Sequence, residues 1–130
     1  MAQQVTKPAS ASDPSANGAD NWAAQLRKGS LELAILASLW AKPLYGLEVL
    51  RSLESDSDLR VAEGTLYPIL SRLRVEGLLD AEWVDAGSGH PRKYYKITKA
   101  GRRRVTEMAR SWAEFSKKMD GVLAPIGLKG

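Results

Sequence analysis

The sequence predicts a mainly α-helical chain with a small β-hairpin. Apolar residues recur at helical spacing in residues 31–40, 63–76 and 99–123. Between the last two of these segments, apolar and polar residues alternate on either side of a glycine-rich stretch, which is typical of two strands joined by a turn. The 130 residues fit one modest domain with a tail. With no cysteine and one histidine, disulfides, thiolate metal sites and a site with two imidazoles from one chain are excluded.

The first segment, residues 1–21, is predicted to be a disordered tail. It is rich in Ala, Ser, Asn and Pro, and Val5 is its only large apolar residue. Such a composition buries too little surface to offset the entropy lost on ordering. It also lacks the apolar core of a signal peptide. Residues 22–98 are predicted to form the folded domain, opening with a short helix over Trp22–Lys28.

Two helices follow. Ser30 is predicted to cap a helix that runs to Trp40 and is buried on all sides, and Lys42-Pro43 ends it. A second helix is predicted from Tyr45 to Leu53. Its inward-facing residues are predicted to be Leu47, Val49 and Leu50. The polar segment 54–60 is then a loop, and Val61-Ala62 forms an edge strand or leads into the next helix.

The third helix is predicted over Glu63–Glu76 and is the most informative segment. Leu66, Ile69, Leu70 and Leu73 form an apolar stripe that faces a core. Pro68 is tolerated because it falls near the first turn, and Gly77 suits the position after the helix. The opposite face is small, hydroxyl-bearing and aromatic where an ordinary solvated face would carry Glu/Lys pairs. Such a surface indicates a helix that lies against a partner, and its members are Gly64, Thr65, Tyr67, Pro68, Ser71, Arg72 and Val75.

A hairpin is predicted directly after this helix. Leu79, Ala81 and Trp83 alternate with Asp80 and Glu82, residues 86–91 form a turn, and residues 93–97 return. Three helices followed by a β-hairpin constitute a winged helix-turn-helix. Trp22, Trp40 and Trp83 are predicted to be packing residues.

The last helix is predicted over residues 99–123, capped by Thr98. At about 1.5 Å per residue it is too long for so small a domain to cover. Its apolar residues are spaced alternately by three and four positions, as in a coiled-coil seam. A homodimer joined through this helix is favoured over a helix that folds back on its own chain, and residues 124–130 are predicted to fray. The seam consists of Val105, Met108, Trp112, Phe115, Met119 and Val122.

Charge is distributed unevenly along the chain. Residues 1–60 have a net charge of −1, whereas residues 61–130 have +5. From Ala86 to Thr106 there is no acid, and seven Lys/Arg side chains follow one another. Because this run is interleaved with Tyr94, Tyr95 and Ile97, it belongs to folded structure. A one-sign run in folded structure indicates a surface for nucleic acid.

These segments together resemble the PadR family of bacterial transcriptional regulators. The resemblance covers Leu26 to Leu123 and is carried by LRKGSLELAILASL, PLYGLEVLRSLE, EGTLYPILSRLRVEGLL and GHPRKYYKITKAGRR, in that order. It is strongest to the short members with one C-terminal helix. It implies a winged-helix dimer that usually represses transcription at inverted repeats, and a small molecule that relieves repression.

The residue chemistry points to double-stranded DNA without the resemblance. The amino-terminal end of a recognition helix lies nearest the base edges, where Thr65 can contact a thymine methyl and Tyr67 and Ser71 offer hydroxyls. Tyr45 is either a phosphate clamp or a half-buried packing residue, and the wing tip can reach phosphates or the minor groove. The predicted DNA-binding residues are Tyr45, Gly64, Thr65, Tyr67, Pro68, Ser71, Arg72, His90, Arg92 and Lys93.

The same seam has two interpretations, a packed dimer core and an effector site. Trp112, Met108 and Phe115 would meet their copies near a dimer axis, where packing is the favoured interpretation and a pocket for a planar hydrophobic molecule is the alternative.

Other functions have less support. No catalytic triad, phosphate-binding glycine motif or metal site is present, so neither an enzyme nor a cofactor is predicted. No segment approaches the length of a membrane span, and a cytoplasmic location is expected. The main alternative is a winged-helix module that binds another protein and no DNA, which Glu63 and Val75 slightly favour.

Overall fold

The structure, a computed structural model, describes residues 14–57, 59–85, 87 and 89–128. The chain divides into two compact units, residues 1–31 and 32–130. In chain order the elements are α1 (Pro14–Ser38), β1 (Leu44–Tyr45), α2 (Gly46–Ser57), α3 (Glu63–Val75), β2 (Leu79–Val84), β3 (Arg92–Ile97), α4 (Lys99–Leu123) and a 3-10 turn (Ala124–Ile126).

The first unit is helical from Pro14 onward, which corrects two predictions. Residues 14–21 are helical where a disordered tail was expected, while residues 1–13 lie outside the described part of the chain. Ser30 lies inside α1, and its hydroxyl donates to the carbonyl oxygens of Leu26 (3.0 Å) and Arg27 (3.3 Å). Proline is favoured in the first helical turn, and a serine inside a helix can bond back to the preceding turn. A serine before an apolar run therefore did not mark a helix start here.

The second unit has a core of leucines from three helices, closed by the sheet. On α3 the predicted stripe is confirmed for Leu66, Leu70 and Leu73, all fully buried, while Ile69 is half-buried. The other buried apolar residues of this unit are Ile35, Leu36, Leu39, Leu44, Val49, Leu53, Leu78, Leu79, Tyr95, Ile97 and Val105.

Two details of helix burial were predicted wrongly. The apolar end of α1 is buried on one face only, because Ala37 and Trp40 are exposed, and the helix ends at Ser38. In α2, Val49 and Leu53 are buried, whereas Leu47 is exposed and Leu50 is half-buried. The helix begins at Gly46, directly after β1, and from this start Val49 and Leu53 are the residues that face the core.

The sheet has three strands in the order β1-β3-β2, all antiparallel. The hairpin was predicted, but the two-residue strand β1 was not; Leu44 pairs with Tyr95 and Tyr45 with Tyr94. Val61 and Ala62 form no strand, and the Ala62 carbonyl accepts from the backbone N–H groups of Thr65 and Leu66, both at 2.9 Å. That pair of residues therefore leads into α3.

Helix α4 has the bounds that the sequence predicts. Its first residue follows Thr98, whose hydroxyl oxygen accepts from the Gly101 N–H at 2.9 Å. Beyond its end, residues 124–126 form a 3-10 turn where fraying was expected, and residues 129–130 lie outside the description. Within the described residues, no helix is both long and apolar enough to cross a membrane.

Candidate nucleic-acid interface

The exposed face of α3 is polar and nearly free of acid. Gly64, Thr65, Pro68 and Ser71 are all exposed, as the sequence predicts for a contact surface. Pro68 is the sixth residue of the helix, beyond the first turn where it was expected, and it has no N–H for the carbonyl of Gly64. The exposed face of α3 therefore presents the hydroxyls of Thr65 and Ser71, which can hydrogen-bond to base edges.

Tyr67 is held by the start of α2. Its ring lies so close to Gly46 that a Cβ at that position would fall 2.7 Å from Cζ of the tyrosine and 2.5 Å from its hydroxyl oxygen. Only a glycine at position 46 leaves room for the Tyr67 ring, whichever backbone angles that glycine adopts. Tyr67 remains 38% exposed, so its outer edge faces solvent while its inner edge is fixed by α2.

Arg72 is tied within the protein. Its guanidinium donates to Glu32 Oε1 on α1 at 2.8 Å and to Glu76 Oε2 at 3.0 Å. These hydrogen bonds raise the pKa of Arg72 above its ordinary value, against a smaller opposing effect of desolvation. The second Glu32 oxygen lies 3.6 Å from the guanidinium of Arg104 on α4. Arg72 was predicted to contact DNA, and in this structure its guanidinium is paired with carboxylates on α1 and at the end of α3.

The outer face of the sheet carries the predicted clamp residue, Tyr45. Its ring meets the edge of Tyr94 at a centroid distance of 5.5 Å and an interplanar angle of 73°. The Arg92 guanidinium lies over Tyr45, 4.6 Å from the ring centroid. The Tyr45 N–H donates to Glu48 Oε1 at 3.1 Å. These contacts are those of a half-buried packing residue, which is one of the two roles predicted for Tyr45. The same ring supports the Arg92 guanidinium.

The inner face of the sheet adjoins α3. Lys93 projects there beside Trp83 and Tyr95, with its Nζ 5.9 Å and 5.8 Å from the two ring centroids. Burial raises the pKa of Tyr95; the nearby Tyr67 adds to this effect, and Arg74 opposes it. Because α3 packs against β2, the Lys93 face of the sheet adjoins that helix. His90 is exposed in the turn between the strands.

Part of the basic run stabilises the fold. Arg102 donates to the Trp40 carbonyl oxygen at 3.0 Å and lies 4.5 Å from the centroid of the Trp40 ring. Arg104 pairs with Glu32, as described above. Within the part of the chain that the structure describes, Lys96, Lys99 and Arg103 make no ion pair and remain available to an anionic partner.

The seam of α4 is uncovered beyond its base. Val105 is buried and Met108 half-buried, but further along the exposed fraction is 47% for Trp112 and 58% for Phe115. Met119 and Val122 are also exposed. A groove of about 410 Å³ beside the base of the seam is lined mainly by apolar residues: Ala37, Trp40, Val105, Thr106, Ala109, Arg110 and Ala113.

We predict that Gly46→Ala and Tyr67→Ala are strongly coupled. The new methyl group of Gly46→Ala must displace the Tyr67 ring, so this change alone should destabilise the fold by about 1 to 3 kcal/mol. In a Tyr67→Ala background the three atoms nearest to the methyl group are gone, so its effect should be small. Urea unfolding of the four proteins of a double-mutant cycle measures the coupling. Additive effects would show that the Tyr67 ring does not rest on α2.

Comparisons with known proteins identify the family of the chain. The model of the transcriptional regulator PadR-like family matches residues 35–107. The chain is 34% identical over 99 residues to transcriptional regulator Rv3488 of Mycobacterium tuberculosis, covering 75% of this chain and 89% of that protein. A PadR family regulator from Eggerthella lenta is 34% identical, with a TM-score of 0.75, over 82% of this chain and 93% of that one.

A PadR-like transcription factor from Bacteroides fragilis is 40% identical, with a TM-score of 0.65, over 78% of this chain and 98% of that one. The family model spans the end of α1, then α2, α3, the hairpin and the start of α4, and the three helices with the hairpin form the winged helix-turn-helix. The chain belongs to the PadR-like family of transcriptional regulators, which act by binding DNA and are not enzymes.

Proposed function

We propose that the chain is a repressor that binds an inverted repeat in double-stranded DNA as a homodimer, with α3 in the major groove. The observation that carries the proposal is the exposed face of α3, which presents Gly64, Thr65, Pro68 and Ser71 to solvent. Recognition helices in this fold contact base edges with their amino-terminal residues. Lys93 on one flank and Lys99 and Arg103 near the start of α4 supply charge for phosphates.

The structure changes the weight of individual residues in this proposal. Gly64, Thr65, Pro68 and Ser71 remain direct contacts, and Tyr67 contributes its outer edge. Arg72 would have to leave two carboxylates to reach DNA, so we assign it to positioning α3. Arg92 and His90 can reach phosphates, while Tyr45 supports Arg92.

The homodimer is supported by the uncovered seam on α4. Trp112, Phe115 and Val122 expose apolar surface along one side of a helix, and the other described residues of the second unit leave that surface uncovered. Two copies paired through these seams would bury it in an interface with a two-fold axis. A two-fold dimer fits an inverted repeat, because each copy then meets the same half-site sequence.

We also propose that the paired seams of α4 form an effector site. Trp112, Met108 and Phe115 of two copies would surround the dimer axis, and flat aromatic molecules stack on indole rings. Close packing of the two seams would leave no room for a ligand, whereas looser packing would leave a pocket beside the Trp112 ring, which is exposed in the single chain.

The alternative function is a module that binds a protein and no DNA. Val75, at the end of α3, is 79% exposed and offers an apolar side chain to a protein partner. A gel shift with the duplex upstream of the coding region, or with an operator selected from random duplexes, separates the two functions. Retention of the duplex at physiological salt is expected for the DNA-binding function.

We expect Thr65→Ala and Lys93→Ala to weaken DNA binding in different ways. Thr65→Ala removes a base contact and should cost about 1 to 3 kcal/mol on the operator with little effect on random duplex. Lys93→Ala should weaken both and reduce the slope of log affinity against log salt by about 0.9. Lys118→Ala, with the same charge change far along α4, is the control. Equal loss on both duplexes for Thr65→Ala would contradict the docking of α3.

Phe115→Glu is expected to convert the dimer to a monomer, because it places a carboxylate in the apolar seam. Sedimentation equilibrium at fixed protein concentration measures the mass. Lys117→Gln changes the charge by the same amount on the opposite side of α4 and should leave the mass unchanged. A dimeric Phe115→Glu protein would show that the copies pair elsewhere.

The effector hypothesis requires that planar aromatic compounds quench the fluorescence of Trp112. Titration of a panel of such compounds should give saturable quenching in the wild type and none in Trp112→Leu. The same compounds should release the operator in a gel shift. Absence of quenching across the panel would leave the seam as a packed dimer core.

A further inference from the structure

Trp83 is the least expected feature of the wing. It occupies an inward position of β2, in phase with the buried Leu79 and half-buried Ala81, yet it is 67% exposed. Burial falls along the strand because the hairpin extends beyond the core. A single exposed aromatic residue is common in soluble proteins and by itself indicates nothing. The residues around Trp83 indicate which kind of partner its exposed ring would bind.

The cross-strand neighbour of Trp83 is Lys93. The two residues are paired in the β2–β3 register, and the Lys93 Nζ lies 5.9 Å from the indole centroid. The ammonium is therefore held over an aromatic face while the chain of the lysine is half-buried. An apolar ring and a positive charge are thus presented together at one point of the wing.

Within β2, the acidic side chains lie on the opposite face. Asp80 and Glu82 alternate with the inward residues of β2, so they project from the other side of the sheet. Within strands β2 and β3, Lys93 is the single charged residue on the side of Trp83. A duplex backbone offers a matching surface, because apolar deoxyribose edges line its minor groove beside anionic phosphates.

This face is continuous with α3. The helix packs against β2, and the Tyr95 ring lies on the same face of the sheet with its centroid 5.8 Å from the Lys93 Nζ. A duplex that receives α3 in its major groove would bring the adjacent minor groove to the wing.

We propose that Trp83 packs into this minor groove against deoxyribose, while Lys93 binds a phosphate of the same strand. The proposal rests on the DNA-binding function proposed above and adds a contact that is independent of base sequence. Trp83 therefore sets affinity for any duplex, whereas the exposed face of α3 distinguishes the operator.

The test measures binding of Trp83→Ala to operator and to random duplex over a series of salt concentrations. Loss of the aromatic contact should weaken both complexes by about tenfold. The salt slope should stay at the wild-type value, because no charge is removed, whereas Lys93→Ala lowers it. Trp83→Phe should retain most of the affinity. Val84→Ala, on the same strand with the opposite orientation, should bind as the wild type does.

Hydroxyl-radical footprinting gives a second measurement, since these radicals attack deoxyribose through the minor groove. Wild-type protein should protect sugars on each flank of the α3 contacts, and Trp83→Ala should lose that protection while keeping the rest of the footprint.

Three results would overturn the proposal while wild-type binding to the operator upholds the proposed function. They are unchanged affinity in Trp83→Ala, a loss confined to the operator, and a loss of dimer mass in sedimentation. Wild-type protein that retains no duplex would instead refute the DNA-binding function itself.

Discussion

The leucine stripe of α3 is the constraint on which the rest of the structure depends. Leu66, Leu70 and Leu73 are completely buried, and each contributes about 2 to 3 kcal/mol by leaving water. Any rotation of the helix about its axis would expose at least one of these leucines, so the stripe fixes which residues face outward. The exposed position of Thr65 and Ser71 is therefore a consequence of the core. Ion pairs at the surface refine this orientation, but they are too weak to set it.

The positive charge of the chain has two separate uses. Arg72, Arg102 and Arg104 make contacts that join α3 and α4 to α1 or to the turn after it. Arginine suits these positions because its planar guanidinium can bind a carboxylate or carbonyl and stack on a ring at once. The lysines have no such geometry, and Lys96 and Lys99 stay free in the described part of the chain. The net charge thus overstates the charge that an anionic partner meets.

The sequence predicts the elements whose determinants are local. Helix α4 was predicted at both ends because Thr98 caps it and a seam runs along it, and α3 was predicted to within one residue. Strand β1 escaped prediction because two residues show no alternation and their partners lie about fifty positions away. The environment of Arg72 escaped it for the same reason, since Glu32 is forty residues distant. The alternation in β2 correctly placed Trp83 on the inner side of the sheet. Alternation does not tell where a hairpin extends beyond the core, so the exposure of Trp83 was not predicted.

The junction at Thr98 links the DNA-binding surface to the proposed dimer. Its hydroxyl donates to the Gly77 carbonyl oxygen at 2.7 Å, and its N–H donates to the Leu78 carbonyl oxygen at 3.1 Å. The same hydroxyl oxygen caps α4 through Gly101. The end of α3, the end of β3 and the start of α4 therefore meet at one residue. In a dimer joined through α4, this short connection leaves α3 little freedom relative to the two-fold axis. The spacing of the two recognition helices, and with it the spacing of the half-sites, then follows from how the α4 seams pack.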